Sequence, residues 1–175
     1  MTERTGGLLR QLLHLASDLR GGLLLALILL FVDGVLDGSY ILSLAVCPIW
    51  LVVAFIRASI GSSDNAVRAA RVLLPQVTLL LVFTNYNLQA KMAMGNATRI
   101  IQACERYREA NGSYPDRLVD LVPRFLGSVP NAKYCLGDAS YRYRGPPVNT
   151  LAWTQVPPFG RRVYLFSERE WRYVD

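Results

Sequence analysis

Three apolar runs dominate the first half of the chain: Gly21 to Leu36, interrupted by Asp33; Tyr40 to Ile56, without a charge; and Val72 to Tyr86. A bilayer core takes about 20 helical residues and roughly 17 at the least, so the second run spans without help. The first draws on Leu15, Ala16 and Leu19, and the third on Ala69 and Ala70, with Arg71 snorkelling to the headgroups. Beyond Tyr86 helical periodicity resumes. Ala93, Ala97, Ile100, Ile101, Cys104 and Tyr107 form one stripe, and Arg99, Glu105, Arg106 and Glu109 fall largely off it. Run and stripe together predict one long helix, kinked at Pro75 and ending near Ala110, where Asn111-Gly112 supplies a stop.

Pro115 suits the first turn of a short amphipathic helix carrying Leu118, Leu121, Val122, Phe125 and Leu126, which Gly127 and Pro130 close. The period then changes to two. Tyr141 and Tyr143 alternate with Arg142 and Arg144, Val163 and Leu165 with Arg162, Tyr164 and Phe166, and Trp171 and Tyr173 with Glu170 and Arg172. Three strands are predicted, the last two joined by a hairpin turn at Ser167 to Arg169. Gly145 to Gly160 reads as a loop with room for a short strand around Leu151 to Thr154. An antiparallel sheet with one face on the long helix would bury both apolar surfaces.

Composition agrees with a chain of two characters. Its 175 residues exclude a large multidomain enzyme, and 52% apolar with 18% charged residues argues against a disordered or fully soluble protein. Mean hydropathy is +0.24 and the pI about 9.5. The net charge of +6 points to an anionic partner, nucleic acid or membrane surface, until it is divided: residues 1–86 carry 6 basic and 5 acidic side chains, residues 87–175 carry 13 and 8. The first half is membrane-like in charge and the second is close to a soluble norm.

Basic residues in the short flanks set a direction. Arg4, Arg10 and Arg20 precede the first run, Arg57, Arg68 and Arg71 follow the second, and the turn between those runs holds Asp33 and Asp37 with no basic residue. The amino terminus and the loop after Arg57 are expected on the cytoplasmic side, with everything beyond about Asn87 on the other. Leu8, Leu12, Leu15 and Leu19 suggest an amphipathic helix on the cytoplasmic interface, with His14 on its wet face. A cleaved signal peptide is the competing reading of this start, but no small-x-small site closes the first run. Leu44-Ala45-Val46-Cys47 faintly resembles a lipobox, although Val46 stands where a small residue belongs; Cys47 reads better as a small intramembrane hydrophobe. Asp33 is either a polar pathway residue or, more simply, part of an interfacial turn with Gly34 and Asp37.

A membrane helix running directly into an amphipathic one, then Tyr107-Arg108-Glu109-Ala110-Asn111-Gly112-Ser113-Tyr114-Pro115, a Leu-rich segment ending in Phe125-Leu126 and a small sheet, resembles type IV pilins and especially type II secretion pseudopilins. Tyr107, Asn111, Gly112, Tyr114 and Pro115 carry the motif, and the likeness covers about Val72 to Asp175. The leader glycine and early glutamate of that family have no counterpart between Arg71 and Thr78. The apolar runs and basic flanks give a cytoplasmic amphipathic segment (1–20), two transmembrane helices (21–60), and a cytoplasmic loop with the third transmembrane helix (61–86); to these the resemblance adds a periplasmic pilin-like domain (87–175), and so implies an α+β membrane protein of the bacterial inner membrane in which a two-helix hairpin precedes a long helix packed on a small antiparallel sheet. In such an oxidising compartment Cys104 and Cys135 are expected to form a disulfide, the alternative being two unrelated buried thiols.

Chemistry is sparsely represented. There is no Gly-rich phosphate loop, no metal-spaced His/Cys/Asp cluster and no Ser/His/Asp set, so no catalytic residue, metal or cofactor is expected. Glu105 and Glu109 read as a salt-bridged face beside Arg106 and Arg108 rather than as paired catalytic carboxylates. Arg142, Arg144, Arg161, Arg162, Arg169 and Arg172 lie among tyrosines and Trp171, which suits either a ligand surface for anionic groups or ordinary solvated strands. The expectation is a non-enzymatic interaction or accessory component of a secretion or pilus-like apparatus, with membrane lipid and envelope proteins as partners and no nucleic acid. A membrane-anchored sensory module recognising an anionic envelope component is the alternative.

Overall fold

In the computed structural model the described residues are 19–60, 64–157 and 160–174. The amphipathic segment with His14 lies outside them. Helix α1 (Arg20–Leu29) runs without a break into a π-helical stretch, Leu30–Asp37. Helix α2 (Ile41–Ile60) follows a short turn, and α3 (Asn65–Asn111) extends for 47 residues with Pro75 inside it. At 1.5 Å per residue α3 is about 70 Å long, more than twice a hydrocarbon core of about 30 Å, so it cannot be a transmembrane helix alone.

Both α2 and α3 contain stretches long and apolar enough to cross a membrane. Their surfaces support lipid as the surrounding solvent: Ile49, Phe55 and Leu80 are 69, 64 and 64% exposed, a pattern unlike that of a soluble core helix. Asp33 is buried, and its carboxylate accepts the N–H groups of Leu42 (3.3 Å) and Ser43 (2.6 Å). It thus satisfies donors in the first turn of α2 that have no partner within the helix.

The chain divides into two compact units, one formed by residues up to Gly34 with Tyr40–Thr84, the other by Val35–Ser39 with Asn85–Asp175. In the second unit a four-stranded antiparallel sheet is ordered β1 (Arg142–Arg144), β2 (Thr150–Thr154), β3 (Arg161–Leu165), β4 (Glu170–Val174). The three alternating segments are strands, and the connection after Leu165 is a tight turn in which Arg169 N–H reaches the Leu165 carbonyl at 2.8 Å. The short segment around Leu151 proves to be a full strand paired on both sides. It carries Leu151 and Trp153, both deeply buried, and so supplies the centre of the core rather than part of a loop.

Register assigns the faces. Tyr143, Leu151, Tyr164 and Trp171 are successive cross-strand partners on one side, and Arg142, Ala152, Val163 and Arg172 on the other. The first face shares a core with Ala93, Ala97, Ile100, Ala103 and Cys104 of α3. Alanine at three of these positions lets the strands approach the helix closely, and the aromatic side chains fill the space: Trp153 meets Trp171 edge-on at 5.2 Å, and Tyr164 meets Phe166 at 5.1 Å.

Two expectations are corrected. The amphipathic helix after Pro115 is a single 3₁₀ turn, Leu118–Leu121. Pro123 drives Val122 into an extended conformation (φ −94°, ψ 140°), which stops helical growth; Leu118 and Leu121 are buried nonetheless. Cys104 and Cys135 are not bridged, and both are free thiols. Cys104 is in the core beneath the sheet, whereas Cys135 lies against the Gly38 turn, which also meets Gln89. Gln89 and Cys104 are four helical turns apart, about 22 Å, and a disulfide needs Cα atoms within about 7 Å.

Candidate functional site

The motif after α3 is built as a clasp. Gly112 takes φ +80°, a conformation that a Cβ disfavours, and its N–H closes on the Arg108 carbonyl at 2.8 Å, ending the helix. Asn111 Nδ2 caps back to the Tyr107 carbonyl at 2.9 Å. The chain then reverses, so that Tyr114 OH donates to Glu105 Oε1 and accepts from Arg108 Nη1, each at 2.9 Å, while Glu105 and Arg108 pair at 3.0 Å. The Arg108 guanidinium is 4.9 Å from the Tyr114 ring centre. Burial pushes the Tyr114 phenol up to about 12, and the hydrogen bond and charge of Glu105 add to this. Pro115 is buried, and its carbonyl accepts the Tyr143 hydroxyl at 2.9 Å, tying the clasp to β1. Tyr107 packs edge-on against Phe125 at 5.4 Å. Glu105 is committed to this network.

A second polar cluster forms where Val35–Ser39 joins the globular unit. Leu136 and Gly137 donate backbone N–H groups to the carbonyls of Val35 and Leu36, both at 2.9 Å. Lys133 is 2% exposed, and its Nζ donates to the carbonyls of Gly38 (3.3 Å) and Gln155 (2.7 Å). Burial holds its ammonium below the usual lysine range, against the opposing fields of Cys135, Asp138 and Asp37. Gln155 extends the network, its Oε1 accepting from Arg162 Nε at 2.8 Å and its Nε2 donating to Tyr86 OH at 3.1 Å. Nothing in the pattern of the sequence singled out Lys133, one of two lysines in the chain, because it sits in an irregular loop without periodicity.

The arginine set divides by strand parity. Arg142, Arg144, Arg161 and Arg172 lie on the sheet face turned from the core; Arg162 and Trp171 lie on the core face, Arg162 opposite Trp153 and Trp171 opposite Tyr164. Arg142 pairs with Asp138 at 2.7 Å and Arg172 with Glu168 at 2.5 Å. Burial alone would raise the Asp138 carboxyl, but the charge and hydrogen bond of Arg142, with further bonds from Thr154 and Ser140, hold it below its ordinary value. The outer face therefore offers aliphatic Ala152, Val163 and Leu165 framed by arginines. Among the described residues no group of three His, Cys, Asp or Glu side chains is placed to hold a metal ion.

No protein-family model matches the chain, and neither a curated protein nor a solved structure is significantly similar to it. The pilin likeness therefore rests on the residues quoted above. What the architecture carries is a membrane-associated helical region and a small α+β domain with a four-stranded open sheet.

Proposed function

We propose that this is an inner-membrane protein whose periplasmic, pseudopilin-like domain acts by binding other envelope proteins, as a non-enzymatic accessory of a secretion or pilus-like apparatus. The observation that carries the reading is α3: one unbroken helix that is apolar along its first half and carries, along its second, an Ala93–Ala97–Ile100–Cys104 stripe covered by an antiparallel sheet. The clasp at Gly112, Tyr114 and Pro115 supports it, since these residues end the helix and bind the returning chain to β1.

Topology is supported by the bonds between the loop at Leu136–Gly137 and the carbonyls of Val35 and Leu36. A turn held to the domain in this way is what a topology of three crossings calls for. The basic flanks at Arg20, Arg57 and Arg71 favour the cytoplasm for the opposite side.

Reporter fusions after Gly38, Ile60 and Asn111 test the orientation: periplasmic, cytoplasmic and periplasmic activity are expected, and a reporter active only in the cytoplasm after Asn111 sinks the proposal. Photocrosslinking from exposed positions on the outer sheet face then tests the role. Discrete protein adducts support it. Recovery of a small anionic molecule instead would favour the sensory reading, for which Arg144 and Arg161 on the outer face are the motivating residues.

A further inference from the structure

The loop that leads into β1 is inverted relative to one that faces water. Its cation is inside and its large apolar side chains are outside: Lys133 is 2% exposed, whereas Tyr134 is 73% and Leu136 74% exposed. Lysine is almost never fully buried, and a loop in water turns it outward. The position of this loop supplies a reason. Leu136 and Gly137 are bonded to the carbonyls of Val35 and Leu36, and Lys133 to that of Gly38. Gly38 stands three residues before Ile41, where α2 begins, so at most about 11 Å of chain separates the loop's anchor from that helix. With 20 residues α2 is about 30 Å long and matches a hydrocarbon core, which puts Ile41 at the edge of the apolar layer. Helix α3 gives the same level. A Cβ on Gly38 would stand 2.8 Å from Gln89 Oε1, and Gln89 lies just past the apolar run that ends at Tyr86. Tyr86 keeps its hydroxyl on Gln155 Nε2, as an aromatic side chain does at the headgroups.

We infer that Tyr134–Leu136 is a membrane anchor, dipping into the boundary between headgroups and acyl chains beside the Val35–Ser39 turn, with Leu136 in the acyl layer and the Tyr134 ring at the headgroups. Continuity selects lipid as the occupant: Val35, whose carbonyl holds Leu136, is 41% exposed and belongs to the first apolar run. Lys133 makes the geometry. Its side chain turns inward to the carbonyls of Gly38 and Gln155, which keeps a charge out of the apolar layer and leaves its neighbours pointing outward. The inference rests on α2 crossing the membrane, and it fixes the base of the globular unit to the bilayer by lipid contact as well as by the chain.

The test uses the full chain reconstituted in phosphatidylcholine vesicles, part of the lipid carrying a nitroxide near the head of the acyl chain, with a genetically encoded fluorescent residue in place of Leu136, Phe55 or Val119. Phe55 on α2 and Val119 on the 3₁₀ turn of the domain are 64% and 58% exposed. The probe at Leu136 should be quenched by the nitroxide lipid as the one at Phe55 is, and should lose most of the quenching that iodide, present on both sides of the bilayer, produces at Val119. Leu136→Asp should shift the loop roughly tenfold toward water, the worth of about two buried methyl groups, read as iodide quenching gained by a probe at Tyr134. Leu136→Phe should keep the loop inserted. Leu136 is open to its surroundings, so neither change disturbs the core, and circular dichroism checks this. A probe at Leu136 as open to iodide as Val119, with Phe55 in lipid, overturns the anchor and leaves the membrane reading standing; iodide access at Phe55 as well overturns both. Photolabelling from Leu136 in native membranes should give lipid adducts, and a discrete protein adduct in their place overturns the assignment.

Discussion

The ammonium of Lys133 lies 3.3 Å from the carbonyl oxygen of Gly38, a residue 95 positions earlier in the chain. Together with the bond to Gln155 it joins the turn between the first two helices, the loop before the sheet and the end of β2 through one side chain. Gly38 permits this by its φ of +58°.

Replacing Lys133 by methionine removes two charge-assisted bonds and leaves their carbonyls in a buried site. The domain should lose about 2 kcal/mol, measured by chemical denaturation. Because burial lowers the lysine below 10.5, the unfolded chain binds more protons between the depressed value and 10.5. Lys133 thus makes stability rise with pH through that window, and Lys133→Met should abolish this component of the slope.

Tyrosine acts in the opposite sense. With its phenol at about 12 against an ordinary 10.0, Tyr114 contributes stability that is complete below pH 10 and lost as pH rises toward 12. Alkaline unfolding should begin above pH 10, and Tyr114→Phe should flatten that part of the profile; a spectrophotometric phenol titration alongside circular dichroism reads both.

The thiols should behave independently. Burial, with the charge of Glu105 adding to it, pushes Cys104 up to about 12, so it should resist alkylation in the folded domain and react on unfolding. Cys135, partly exposed, should be modified first. Reducing and non-reducing gels should give the same mobility, and mass spectrometry of a non-reduced digest should yield no Cys104–Cys135 peptide.

Strand parity predicts unequal costs on the two sheet faces. Leu151→Ala should cost about 2–5 kcal/mol, since the residue is fully buried beneath the aromatic cluster. Val163→Thr, on the face turned from the core, should cost about 1 kcal/mol or less. Thermal melts of the two variants compare the faces directly.

Asp33 should matter to α2 rather than to transport of charge. Its two backbone bonds to Leu42 and Ser43 are those of an N-terminal cap, and Asp33→Ala should destabilise the detergent-solubilised protein by about 1–2 kcal/mol while Asp33→Asn retains part of the effect.

Residue periodicity along the chain was sufficient for the apolar stretches of α2 and α3, for the long helix ending at Asn111, and for the alternation of β1, β3 and β4, because these patterns repeat locally at 3.6 or 2 residues. Gly112 could be read as a helix stop for the same reason. Other features depended on contacts between distant segments. Nothing local distinguishes Thr150–Thr154 as the strand at the centre of the core, since its burial comes from β1 and β3 on either side and the aromatic residues packed on it. Pro123 outweighed the apolar spacing that would have continued the turn at Leu118 into a helix. Pairing two cysteines by compartment and number failed because a bond is fixed by distance, and helical rise puts four turns between their surroundings. Lys133 is the clearest case. Its partners are carbonyl groups, which every residue possesses, so only the folded chain selects Gly38 and Gln155 from among them.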